Sequence, residues 1–348
     1  LTERAIATVN GDDLMPDLDR LLASGHALSH LDTGESLATI HDRAVSANAY
    51  LGAAPIVEAL NLGAKIVITG RVADASLTVA PAVHAFGWPW DDWHRLSAGS
   101  VAGHLIECGA QATGGLWCNW QDAPDLANVG YPIAEMEANG EFTIIKPDGS
   151  GGAVNLETLA EQLLYEVGDP AAYLTPDVVA DFTSVRLSQT GPNAVRVSGA
   201  RGKPATDTYK VSISYRDGFA SSGTLVIAGP NAAAKARSCG EMLLKRLQRI
   251  EMKPAHSLIE CLGAGDCVPG VLPRADPPEV VLRVSVRDAD KAKVERFTKE
   301  FAPLVTSGPP GVTGYTTGRP AVREVFAYWP ALIAKSAVRA EVRLIDGG

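Results

Sequence analysis

The chain of 348 residues is 46% hydrophobic and 20% charged, with a formal net charge of -9. At about 150 residues per domain this length implies two domains, each with a sizeable core. Lysines and arginines are dispersed instead of gathered into a stripe that could neutralise phosphates, which argues against a nucleic-acid partner. The acidic balance offers nothing to an anionic membrane, and no apolar run reaches the roughly 18 to 20 residues that span one. Five cysteines (Cys108, Cys118, Cys239, Cys261, Cys267) form no CxxC pair, so reduced thiols and a cytoplasmic protein are expected.

The chain opens Leu1-Thr2-Glu3-Arg4, with neither Met nor a basic-then-apolar leader, so a segment upstream is expected. Asp12-Asp13 precede Leu14, Leu18, Leu21 and Leu22 at helical spacing, and Gly25 stops the run. A second helical pattern from Ala53 to Leu62 ends at Gly63. The β-branched run Lys65-Ile66-Val67-Ile68-Thr69-Gly70 then reads as a parallel strand buried on both faces. Further helices are expected over Ala98 to Gln111 and Leu156 to Val167, completing an α/β domain over 1–181. Beyond Phe182 the short runs Ser184 to Ser188, Ala194 to Ser198, Thr208 to Tyr215 and Ser221 to Ala228 suggest an antiparallel meander. Asn231 caps a helix reaching about Ile250, Val280 to Val286 is a strand, and Asp288 to Phe301 a charged helix. The fold class is therefore α/β: an N-terminal parallel-sheet α/β domain, then an α+β domain over 182–348 with an antiparallel sheet and a glycine- and proline-rich tail.

Thr69-Gly70-Arg71-Val72-Ala73-Asp74-Ala75-Ser76 follows the strand, and ligands of open α/β sheets bind beyond strand carboxyl ends. Arg71 offers a fork for carboxylate or phosphate, Asp74 a general base, and Gly70 a close backbone approach. An Arg71–Asp74 structural ion pair with Ser76 as a helix cap is the plainer alternative. The glycine spacing matches neither GxGxxG nor a Walker loop. Asp32-Thr33-Gly34 lacks the second carboxylate of an aspartic protease. Ser46 and Asn48 precede a helix as caps, or as holders of an anion.

His104-Leu105-Ile106-Glu107-Cys108-Gly109-Ala110-Gln111-Ala112-Thr113 is dense in functional side chains. Spaced four apart, His104 and Cys108 share a helix face, so the histidine could activate a thiolate; Glu107 is an alternative acid/base group, and an inert packing cysteine the plainer reading. His104, Cys108 and Cys118 lack zinc-ligand spacing, and no metal site is expected. Arg201 and Lys203, in a cationic loop between strands, could reach a phosphate or simply sit at a solvated hairpin tip. Thr306 to Tyr315 reads as a structured loop covering a site or subunit boundary.

Taken together, TGRVADASL, HLIECGAQATGG, NVGYPIAE, SGARGKPATDTYKVS and TSGPPGVTGY resemble the acyclic terpene utilisation family, AtuA, in order and across nearly the whole chain. The resemblance implies bacterial breakdown of citronellol and geraniol beside biotin-dependent acyl-CoA carboxylases, hence an acyl-CoA thioester as substrate or ligand. It also implies a further N-terminal segment with a glycine-rich turn and, as a possible separate subunit, a small ferredoxin-like domain. The expected activity is lyase, hydratase or thioester chemistry on a branched or terpenoid acyl-CoA without a bound cofactor. Asp74, Glu107, Cys108 and His104 would be catalytic, and Gly70, Arg71, Ser76, Asn48, Gln111, Thr113 and Arg201 ligand-binding. The alternative from another class is a noncatalytic partner subunit of an acyl-CoA enzyme such as a carboxylase; a homo-oligomer suits either. A third reading is a metal-dependent hydrolase built on Asp32, Asp74, His104 and Glu107.

Overall fold

The computed structural model describes residues 5–315 and 318–345; Leu1 to Arg4 and Gly348, on which the expectations about the chain ends fall, lie outside them. Helices, a mixed sheet and several antiparallel sheets make this an α/β protein as expected. Two compact units are interleaved in sequence, not divided at 181/182. The first comprises Leu1–Thr39, Ser46–Ile213 and Trp329–Gly348, and the second Ile40–Val45 and Ser214–Tyr328. The difference has two physical causes. Thr208–Ala228 is one continuous strand that passes through the turn expected near Gly218. The tail returns to the first unit, where Glu341–Ile345 pairs antiparallel with Ile6–Asn10.

In the first unit Ile6–Asn10 is the centre of a three-stranded sheet, with Ile66–Thr69 parallel on its other side. The run 66–69 is therefore an edge strand. Its Ile66 and Ile68 are exposed, correcting the expectation of burial on both faces: only Ala7 and Val9, on the central strand, are fully buried. Helix Ala54–Asn61 packs on this sheet. Helix Trp93–Glu107 is the hub of the unit, buried continuously from Leu96 to Leu105; a helix apolar or small on every side belongs inside a core. Around it lie helices Ser76–Phe86 and Leu156–Leu164, and strands Val179–Asp181 and Arg201–Lys203. Asn155 caps Leu156–Leu164 in a capping box with Thr158, satisfying N–H groups that the first helical turn leaves open.

The second unit runs strand, helix, strand, strand, helices, strand. Ser214 to Ala228 of the long strand leads to helix Ala232–Arg249, strands His256–Leu262 and Glu279–Asp288, helices Lys291–Thr298 and Phe301–Ser307, and strand Val312–Tyr315. With these four strands numbered in chain order, the sheet order is 2-3-1-4 and every neighbouring pair is antiparallel. This is the ferredoxin-like β-α-β-β-α-β arrangement. The helices bury a core of Leu225, Ile227, Leu243, Leu282, Phe297 and Phe301. The segment Thr306 to Tyr315, expected as a loop, instead ends a helix and forms the fourth strand.

Candidate functional site

Parallel pairing of Ile6–Asn10 with Ile66–Thr69 sets two strand carboxyl ends side by side, Gly11-Asp12 and Gly70-Arg71. Asp12, 6% exposed, is the hinge of the arrangement. Its Oδ2 accepts the Arg71 backbone N–H at 2.7 Å and Asn48 Nδ2–H at 3.0 Å. Gly70 is required by proximity: a Cβ there would lie 1.9 Å from Asp12 Oδ1. Asn48 belongs to strand Ala44–Ala49 and not to a helix start, so the capping role expected for Ser46 and Asn48 is corrected. The Ala49 N–H donates to the Asp12 carbonyl at 2.8 Å and fixes the strand there. A cleft of about 360 Å³ opens among Asp12, Asn48, Tyr50, Gly70, Arg71 and Ser212.

Tyr50 also borders a larger cleft of about 520 Å³. Two cations lie over its ring, Arg71 at 5.1 Å and Lys210 at 5.3 Å, placing positive charge beside Tyr50; Arg71 lines the smaller cleft and Lys210 the larger. Arg71 reaches Asp74 at 3.3 Å, with 45% and 61% of the side chains exposed, so the pair is wet and contributes little to stability. Asp74, Glu166 and Tyr173 also line the larger cleft. Burial pushes the Tyr173 phenol up to about 12, helped by negative charge on Glu107, Asp74, Glu166 and Cys108; the phenol stays protonated and can only donate or accept a hydrogen bond. Leu31, Leu174 and Leu332 supply apolar wall.

Helix Trp93–Glu107 comes close to this floor because Gly103 lacks a side chain: a Cβ there would lie 2.7 Å from Ala75 Cα. His104, 1% exposed, uses Nε2–H to donate to the Gln162 carbonyl at 2.9 Å, while Gln162 Nε2–H donates back to the His104 carbonyl at 2.9 Å. Its Nδ1 lies 3.2 Å from Glu107 Oε1 but outside hydrogen-bond alignment. The helix ends at Glu107 and Cys108 is its half-buried C-cap, so the shared helix face expected for His104 and Cys108 is corrected; no hydrogen bond joins them among the described residues. Gln111 and Thr113 follow on a 3-10 turn. The Thr113 hydroxyl donates its one proton to the Gly130 carbonyl, with the Ala110 carbonyl also within reach, a use that holds the loop.

Ser76 is fully buried and its hydroxyl donates to Asp177 Oδ2 at 2.5 Å; it lines neither cleft. Asp177 Oδ1 accepts the Ala53 N–H at 2.8 Å. Burial pushes the Asp177 carboxyl above the usual range, against the opposing pull of Ser76, the Ala53 N–H and Lys335. Arg201 stands on strand Arg201–Lys203 and borders a separate cleft with Thr183 and Arg186, away from the residues around Tyr50. Asp32 is in a turn with 81% of its side chain exposed, so Asp32 and buried His104 share no centre. Among the described residues no three His, Cys, Asp or Glu side chains gather as metal ligands.

A family model described as acyclic terpene utilisation family protein AtuA matches residues 1–344. The chain belongs to the AtuA family. Membership supports a role in acyclic terpene utilisation. No curated protein and no solved structure matches the chain. Among the described residues of this AtuA protein no helix is long and apolar enough to cross a membrane.

Several residues of the AtuA clefts escape sequence reasoning: Asp12, Tyr50, Glu166, Tyr173 and Lys210. Asp12 had a usable signal, since Ile6-Ala7-Thr8-Val9 before Gly11-Asp12 repeats the pattern of Ile66-Val67-Ile68-Thr69 before Gly70-Arg71. The others have none, because each reaches the cleft from a different loop or strand.

Proposed function

We propose that this AtuA protein is a catabolic enzyme acting on a branched or terpenoid acyl-CoA ester, by lyase, hydratase or thioester chemistry. The observation that carries this reading is the 520 Å³ cleft, whose lining joins Tyr50 and Lys210 to Asp74, Glu166 and a protonated Tyr173, with Arg71 beside it on Tyr50 and Asp74. Arg71 and Lys210 suit an anionic group of the substrate, and the leucine walls suit a branched hydrocarbon. Tyr173 would donate to the thioester oxygen as negative charge develops on it. Asp74 or Glu166 would move the proton, with Glu107 behind Tyr173 setting its field. Gly70, Asn48 and Ser76 hold the frame in this reading, and Cys108 is left to packing.

Purified protein incubated with branched and terpenoid acyl-CoA esters, followed by mass spectrometry, tests the proposal. A new CoA or acyl product that disappears with Tyr173→Phe is the expected result. No product, together with stable association with an acyl-CoA carboxylase, would instead favour a noncatalytic partner subunit.

A further inference from the structure

We infer that the smaller cleft, between Asp12 and Arg71, is a subsite for a hydroxyl group next to a carbonyl or carboxylate, with Asp12 Oδ1 accepting from the hydroxyl and the Arg71 guanidinium donating to the neighbouring oxygen. The inference rests on the acyl-ester reading and adds the chemistry of the substrate's polar end. Asp12 is 6% exposed, and neither of its carboxylate oxygens is among the fully buried atoms without a partner, so the little water contact it keeps is what a ligand donor would replace. Oδ2 is satisfied twice, by the Arg71 N–H and by Asn48. Oδ1 receives no donor among the described residues, and Asp12 lines the 360 Å³ cleft. An anchored group that can only accept selects a donor from the ligand.

The cleft also says which donor. Arg71 lines it, and Lys210 also lies over the Tyr50 ring; two cations beside the site disfavour a ligand ammonium and favour a neutral hydroxyl. The guanidinium has five N–H donors and its one carboxylate contact, Asp74 at 3.3 Å, is open to water, so donors remain for a ligand oxygen adjacent to the hydroxyl. Asp74 does not fill this role, because its carboxylate is 61% exposed and already paired with Arg71. Asp12 is held from three directions, by Arg71 N–H, by Asn48 and by the bare α-carbon of Gly70.

Asp12→Asn is the informative variant. Both groups at the Oδ2 position are donors, so the amide oxygen must occupy it and the NH₂ must take the Oδ1 position. The fold's contacts are kept while the free acceptor becomes a donor. The probes are two matched pairs, 2-hydroxybutyrate with butyrate by ligand-observed NMR, and 2-hydroxybutyryl-CoA with butyryl-CoA by calorimetry. The hydroxy member of each pair is expected to bind at least about tenfold tighter, the scale of one hydrogen bond to a charged group. In Asp12→Asn that preference should vanish while the deoxy members keep their affinity. Equal affinities within both pairs, no binding of any probe, or a preference that survives Asp12→Asn would overturn the inference. A hydroxyl preference present in the free acids, with CoA esters binding no better than the acids, would overturn the acyl-CoA reading alone.

Discussion

Gly70→Ala probes the contact on which the site is built. Gly70 lies outside the left-handed region, so alanine is permitted by the backbone and, if nothing else changed, would stabilise by about 0.4–1 kcal/mol through the unfolded chain. Its Cβ, however, would meet Asp12 Oδ1 at 1.9 Å and Cγ at 2.5 Å. Asp12 is short and its backbone is tied to Ala49, so the carboxylate must rotate off its seat. Two bonds to a charged acceptor, from Arg71 N–H and Asn48, are then lost or weakened at about 1.5–3 kcal/mol each. With partial resolvation and the alanine gain set against this, the expected net loss is about 2–4 kcal/mol by urea denaturation. In an Asp12→Ala background there is no carboxylate to displace, so Gly70→Ala should be neutral or stabilising, and the double-mutant cycle should show coupling of at least about 2 kcal/mol. Additive effects, or a Gly70→Ala protein more stable than the parent, would refute the packing of Asp12 on Gly70.

Arg71→Ala should change stability by less than about 1 kcal/mol, since its partner Asp74 is solvent-exposed, yet abolish acyl-CoA binding in calorimetry; an unfolded variant would reveal a structural role instead. Tyr173→Phe should keep the fold and lower kcat for the acyl-CoA ester by about 10²–10³-fold, and an unchanged kcat would remove Tyr173 from the chemistry. Cys108→Ser should retain turnover with no acyl-enzyme adduct in the parent's mass spectrum, because among the described residues no histidine is hydrogen-bonded to the thiol; a trapped thioester would restore the nucleophile. Asp177 has a folded pKa above its ordinary 3.8, so the folded state holds the proton more tightly and stability rises as pH falls toward about 4. Asp177→Asn lacks this term: the stability of the parent relative to the variant should increase between about pH 7 and pH 4 in denaturation curves, and a constant gap would show that Asp177 is not buried as charge.

Local signals were legible in the sequence where they rest on neighbours along the chain. Helix Ala54–Asn61 and its stop at Gly63, helix Ala232–Arg249, and strand Glu279–Asp288 follow apolar periodicity and turn residues. So did the strand-end position of Gly70-Arg71. Pairing partners distant in sequence were not legible: nothing in Ile66–Thr69 tells that it is an edge, or in Glu341–Ile345 that it returns to Ile6–Asn10. The four-residue spacing of His104 and Cys108 misled because the helix stops between them, at a glycine with φ of 57° just after Cys108. Asn48 looked like a helix cap because small polar residues before a helix are also what a strand end beside a carboxylate uses. Tyr50, Tyr173 and Lys210 meet only through tertiary packing, so no spacing rule could assemble them.

The most direct measurement of the central claim is a structure of the protein with a non-hydrolysable branched acyl-CoA analogue bound. The expected result places the acyl group against Leu31 and Leu332, its carbonyl oxygen within hydrogen-bond reach of Tyr173, and an anionic or oxygen-bearing group on Arg71. An analogue seated instead in the Thr183, Arg186 and Arg201 cleft, or one that does not bind at all, would contradict it.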